Sequence, residues 1–292
     1  MTLAYYPGCT LKTKAANLEA AALAALETLG VASTELERWN CCGAVFSLAT
    51  DDLLHHIAPV RDLVRAQQAG ADTVFSLCSQ CYNTLARANL RVRSDPDALE
   101  TLNAIMDTEP DYDGSVEVRH YLEILRDEVG WDAVRAAVVR PLEGLKVAPF
   151  YGCTLVRPLE VAVAPGLLED LIRAVGAEPV AFEASTECCG SYQMIAHPEE
   201  GARRAAAVLG AAGRSGADCM VLGCPLCEYN LGTRQDRIRE SVEGLEPVPT
   251  FYFPQLLGVA LGLDVEALRL DLNHPAAGRL LADRDVIAAV PA

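Results

Sequence analysis

Ala71-Asp72-Thr73-Val74-Phe75-Ser76-Leu77-Cys78-Ser79-Gln80-Cys81 runs from a polar turn through a short apolar strand and delivers two cysteines, spaced C-x2-C, to the start of a helical segment. The same grammar returns as Ala217-Asp218-Cys219-Met220-Val221-Leu222-Gly223-Cys224-Pro225-Leu226-Cys227. Working outward, Cys9, Cys41, Cys42, Cys78 and Cys81 read C-x31-C-C-x35-C-x2-C, and Cys153, Cys188, Cys189, Cys224 and Cys227 read C-x34-C-C-x34-C-x2-C. The two sets are displaced by 144 to 147 positions, and their flanks repeat as well. Gly8-Cys9-Thr10-Leu11 matches Gly152-Cys153-Thr154-Leu155, Cys41-Cys42-Gly43 matches Cys188-Cys189-Gly190, and Tyr121-Leu122-Glu123-Ile124-Leu125 resembles Phe253-Pro254-Gln255-Leu256-Leu257. So long a unit is a duplicated domain rather than a solenoid repeat. The expected halves are 1–144 and 145–292, joined near the turn-forming Pro141-Leu142-Glu143-Gly144.

Each half alternates strands and helices. Strands are expected at Leu3–Tyr6 and Val147–Tyr151, before each Cys-Cys-Gly, and at Thr73–Leu77 and Cys219–Leu222. Helices are expected at Ala15–Leu29 and Val161–Val175, capped by Gly30 and Gly176, and at Asp52–Gln68 and Pro198–Gly213. That alternation predicts an α/β fold: two similar domains, each a small parallel sheet flanked by helices, related by a pseudo-twofold axis. Every cysteine motif then falls at the carboxyl end of a strand, where open α/β sheets build their sites.

Composition narrows the function. The chain has 292 residues, 51% hydrophobic and 22% charged, enough apolar material for packed cores. Its net charge of −16, with Lys12, Lys14 and Lys146 the only lysines, argues against nucleic acid as a partner. No apolar run approaches the roughly 18–20 residues of a membrane span, so no membrane insertion is expected. Met1-Thr-Leu-Ala-Tyr-Tyr-Pro7 lacks the basic and apolar segments of a secretory signal, and a cytoplasmic protein is expected. In a reducing compartment, eleven clustered cysteines, an odd number, read as metal ligands or redox groups rather than structural disulfides.

Thiolates are soft ligands suited to zinc, copper(I) or iron–sulfur clusters. Vicinal cysteines need a turn to aim both sulfurs inward, and the glycine after each pair allows it. Five converging thiolates exceed the four of a structural zinc or a cubane [4Fe–4S] site. Either one thiol per half is spare or the cluster is not a cubane.

Two copies of C-x(31–39)-C-C-G followed by C-x2-C resemble the CCG-domain family, in particular the B subunits of heterodisulfide reductases and their bacterial relatives. The resemblance covers essentially the whole chain; the 34-residue spacings of the second copy lie at or just below the family's range. It implies two noncubane [4Fe–4S] clusters facing each other across a pocket where a small disulfide is cleaved by two electrons, or formed in reverse. By match, Cys9, Cys41, Cys42, Cys78 and Cys81 would hold one cluster, and Cys153, Cys188, Cys189, Cys224 and Cys227 the other. It further implies two partner proteins of a heterodisulfide-reductase-like complex, one carrying iron–sulfur clusters and one carrying flavin. This chain has no GxGxxG or Walker A motif of its own. Candidate substrates by resemblance are the coenzyme M–coenzyme B heterodisulfide and a lipoate-bound sulfur species. Two alternatives stay open: an electron-transfer subunit with no disulfide substrate, and a zinc-bound scaffold.

Outside the cysteine sets, Lys12 and Arg157 could neutralise a thiolate or an anionic substrate group, and His55, His56 and His197 could donate protons, though each has a surface or packing reading beside it. Cys219, in an apolar strand, reads as a small buried hydrophobe. The acidic stretch Asp107–Asp113 reads as a solvated loop.

Overall fold

The computed structural model describes residues 3–44, 53–242 and 244–287. In the first half β1 (Leu3–Tyr5), α1 (Ala16–Thr28), β2 (Thr34–Glu35), α2 (Ile57–Gln68), β3 (Thr73–Ser76), α3 (Ser79–Ser94), α4 (Pro96–Ile105), β4 (Glu117–His120), α5 (Tyr121–Ile124) and α6 (Trp131–Ala137) follow one another. The second half runs β5 (Lys146–Pro149), α7 (Leu167–Ala174), β6 (Glu178–Pro179), α8 (Pro198–Arg214), β7 (Cys219–Leu222), α9 (Pro225–Glu228), α10 (Gln235–Glu240), β8 (Thr250–Tyr252), α11 (Phe253–Ala260), α12 (Val265–Leu268) and α13 (Pro275–Asp283). The strands form two parallel four-stranded sheets, ordered β2-β1-β3-β4 and β6-β5-β7-β8. Central strands such as Val74-Phe75 and Met220-Val221 are buried, as parallel strands covered by helices must be.

The registers superpose the halves. Leu3 faces Thr73 and Val147 faces Cys219, so Cys219 occupies the place of Thr73. In both sheets the order reverses between the two central strands, which makes the gap beyond their carboxyl ends a topological switch point. Gly8-Cys9 and Cys78 emerge there in one half, and Gly152-Cys153 and Cys224 in the other.

The halves embrace through exchanged helices. Helix α1 packs on α11 and α12 of the second half, while α5 and α6 pack on α7. Tyr121 and Phe253, opening the matched segments of the two halves, pack against each other with ring centroids 5.8 Å apart and planes tilted by 39°, and Phe75 lies beside Tyr121 at 6.3 Å. Matched residues meeting each other is what a pseudo-twofold relation requires. A buried amide network adds to the seam: Asn17 on α1 donates to Asn273 (2.9 Å), which donates on to the Thr250 carbonyl (3.2 Å). Each such buried bond contributes about 1 kcal/mol net, and its loss strands a desolvated partner at greater cost.

Three expectations need correction. The helix expected over Val161–Val175 begins only at Leu167, because Pro165 disfavours helical backbone at Ala164; a short 3-10 turn at Leu159–Val161 precedes it. The helix expected from Asp52 opens, within the described residues, as a 3-10 turn (Leu53–His56) before α2, and Asp52 itself lies outside them. The acidic stretch is not simply solvated: Glu109 accepts from Arg65 (3.2 Å) and Arg38 (2.9 Å), and Tyr112 is buried with its hydroxyl on Asn89 (2.8 Å).

Candidate metal centres on two five-cysteine sets

All eleven cysteines are free thiols. In the first set Cys9 Sγ and Cys41 Sγ lie 3.6 Å apart, and Cys42 Sγ and Cys81 Sγ are hydrogen-bonded at 3.5 Å. Gly8 allows this convergence, since a Cβ there would sit 2.9 Å from Cys81 Sγ. Cys9 and Cys41 are exposed while Cys42, Cys78 and Cys81 are buried. In the second set Cys153 and Cys188 are half-buried, and Cys189, Cys224 and Cys227 are buried. All five of these line one cavity of about 60 Å³.

The two Cys-Cys-Gly turns are held by different means. Before Cys41, the Asn40 N–H donates to Asp62 Oδ1 (2.8 Å), Arg65 donates to Asn40 Oδ1 (2.9 Å), and the Tyr6 hydroxyl donates to the Asn40 carbonyl (2.7 Å). Burial pushes the Asp62 carboxyl up to about 8. At the second turn Gly190 has φ +79° and lies against α8, where a Cβ would meet Arg204 Cβ at 2.8 Å and the Gly201 carbonyl oxygen at 2.9 Å. Asn230 donates to the Cys189 carbonyl at 2.6 Å.

The sulfurs share protons. Hydrogen bonds with Cys41 and Cys81 pull Cys42 down to about 5, and the same pairing pushes Cys41 up. Cys78 is lowered by its bond with Cys81, and Cys81 is raised by its bonds with Cys42 and Cys78. In the second set Cys188 is pulled down to about 6 by its bond with Cys153, which rises in turn; Arg204 and Arg157 add a favourable field. Cys189 falls and Cys227 rises through their pairing. Burial is the main reason that Cys9 lies above its ordinary value. A soft metal displaces such shared protons and takes thiolates as ligands. Among the described residues no carboxylate or imidazole lines the second cavity, so its donor chemistry fits a sulfur-held cluster. Among the described residues no group of three or more His, Cys, Asp or Glu side chains is arranged to hold a single metal ion.

The halves also reach into each other's sets. The Ser79 N–H donates to the Gly223 carbonyl at 3.2 Å, joining the two C-x2-C loops. Gln80, inside the first of these loops, lines the second set's cavity. Asn83 crosses as well, donating to the carbonyls of Thr154 (2.8 Å) and Arg157 (2.7 Å).

The residue pattern, the switch-point placement and the sulfur geometry coincide with a family model, the cysteine-rich domain, over residues 3–86 and 147–232. The chain belongs to the cysteine-rich CCG family. It is 32% identical to the 8-methylmenaquinol:fumarate reductase membrane anchor subunit of Wolinella succinogenes, over 93% of this chain and 95% of that protein. It is 29% identical to the B subunit of the ferredoxin/F420H2-dependent CoB-CoM heterodisulfide reductase of Methanosarcina acetivorans, over 93% of each. In fold it is similar to a hypothetical protein from Helicobacter pylori, with TM-score 0.77 at 15% identity; the match covers 94% of this chain and about half (51%) of that one. No described helix of this chain is long and apolar enough to cross a membrane.

The other candidate residues sort by geometry. Lys12 is engaged by Glu19 (2.7 Å) and Glu35 (2.6 Å), which leaves little of its charge for the sulfurs. Arg157 acts on Cys188 through its field. His197 is exposed at the start of α8 and absent from the second cavity's lining; His55 is half-buried and His56 buried, in the turn before α2. Gln80, Asn83 and Asn230 do not stand out in the sequence by residue type. The shared Tyr-Asn dipeptide, Tyr82-Asn83 and Tyr229-Asn230, is a signal for two of them, displaced by one residue between the repeats.

Proposed function

We propose that this chain is the substrate-cleaving component of a cytoplasmic heterodisulfide-reductase-like complex. In this reading the halves 1–144 and 145–292 each hold a noncubane [4Fe–4S] cluster on their five cysteines, Cys9, Cys41, Cys42, Cys78 and Cys81 in one and Cys153, Cys188, Cys189, Cys224 and Cys227 in the other. The observation that carries it is the pairing: two complete five-thiol sets end on adjoining loops joined by the Ser79–Gly223 bond. Bound there, such clusters supply single electrons and an iron site for sulfur.

The chain's own residues supply position and enclosure. Asn40, Asp62 and Arg65 fix the first turn, and Asn230 fixes the second. The buried Cys189, Cys224 and Cys227 keep the second set largely from water. Cleaving a disulfide consumes two electrons and two protons and yields two thiols. The electrons enter from the iron–sulfur and flavin partners of the complex, because this sequence carries no dinucleotide fingerprint.

A second reading, an electron-transfer component without a disulfide of its own, draws support from the Wolinella relative, which is named for fumarate reduction. Anaerobic protein, reduced and then mixed with small disulfides, separates the two. A new disulfide-dependent paramagnetic signal and thiol release are expected. Unchanged signals with every disulfide tried, in a protein that still passes electrons, would favour the relay.

A further inference from the structure

Between Cys78 and Cys81, Gln80 belongs to the first set's loop, yet it lines the second set's cavity. It is only 6% exposed, and its Nε2 has no hydrogen-bond partner among the described residues. Leaving a buried amide unpaired is costly, so a donor left in this state points to an acceptor that arrives with the bound group. The corresponding position of the second loop is Leu226, which lines the same cavity and can donate nothing. The cavity's other walls are chiefly sulfur, and an electron-rich sulfur is the acceptor that chemistry supplies.

We propose that Gln80 is a positioning residue lent by the first half to the second: its amide N–H donates to a negatively charged sulfur, a cluster or substrate thiolate, held on Cys153, Cys188, Cys189, Cys224 and Cys227. The inference rests on the cluster reading above. Hydrogen bonds to cluster sulfurs favour the reduced, more negative state and raise the potential. Its counterpart Leu226 can make no such bond, so Gln80 is a donor that favours reduction of the second centre.

The test uses anaerobic holoprotein and redox titrations followed by low-temperature paramagnetic resonance. The second half's signal is identified as the one lost in Cys189→Ala. Gln80→Leu, which copies the other loop, should shift that centre about tenfold against reduction, about 59 mV for one electron, with the first half's centre unmoved. Gln80→Glu should shift it the same way, since a carboxylate replaces the donor. Full iron with both potentials unchanged in both variants would overturn the Gln80 assignment alone. A shift confined to the first half's centre would overturn it too, as would loss of half the iron from both variants, which would make Gln80 a structural support. Wild-type protein holding zinc in place of iron would instead contradict the function proposed above and remove the acceptor this inference needs.

Discussion

The two Cys-Cys-Gly turns share a spacing and a place beyond a parallel sheet, but one is held by a buried polar network and the other by packing. The first leans on Asn40, Asp62 and Arg65, with Glu109 behind Arg65. The second leans on α8, against which Gly190 sits closer than any side chain could. Counted back from the matched Ala71-Asp72 and Ala217-Asp218, the place of Asp62 is taken in the second half by Val208, also buried. A duplicated site can therefore keep its sulfur geometry while its supports drift apart, and the more enclosed second set is the one supported by packing.

The comparison breaks most sharply at the cysteines themselves. Cys42→Ala and Cys189→Ala should each abolish substrate turnover and alter the spectrum of their own half only, because a five-thiolate cluster has no spare ligand. Full activity and an unchanged spectrum in Cys42→Ala would leave a four-ligand site there.

The glycines after the pairs should differ in degree. Gly190→Val forces a β-branched side chain into left-handed backbone and into Gly201 and Arg204, for about 3 kcal/mol or more and loss of the second half's cluster. Among the described residues Gly43→Val meets only Ala58 Cβ, at 3.9 Å, so the backbone strain of about 1–2 kcal/mol is the main cost expected. Thermal melts with iron analysis measure both; equal losses would refute the difference in support.

The titratable member of the polar support should show in pH. Burial raises the folded-state pKa of Asp62 to about 8 from an ordinary 3.8, so the fold favours its protonated form. Its stabilising contribution is complete below about pH 4 and declines as pH rises towards 8. Asp62→Asn should flatten stability against pH across that window, with denaturation midpoints as the measurement. An unchanged slope would mean that Asp62 is already ionised in the fold.

Smallest of all, Cys219→Ala should leave spectrum and turnover intact and cost about 1 kcal/mol, since this fully buried thiol only packs against its sheet. A changed spectrum in that variant would bring Cys219 into the site.

Much of this is legible in the sequence because period and spacing are local signals. The strand running into Cys78-Ser79-Gln80-Cys81, the repeat at Cys219–Cys227 and the glycines after the vicinal cysteines mark where each sheet ends and its site begins. What stays hidden are contacts made across the halves or between segments far apart. Gln80 cannot be seen to line the other set's cavity, because the pseudo-twofold packing decides that. Glu109 reads as solvated because its ion-pair partner, Arg65, lies 44 residues earlier in the chain. The Val161–Val175 pattern looks helical because its apolar period continues through Pro165-Gly166, where the helical backbone does not.

The central claim is that two equivalent five-cysteine sets each hold a four-iron cluster, and metal stoichiometry tests it most directly. Purified anaerobically, the protein should carry about eight irons and a similar amount of acid-labile sulfide per chain, falling by half in Gly190→Val but not in Cys219→Ala. Stoichiometric zinc with negligible iron and sulfide would contradict it.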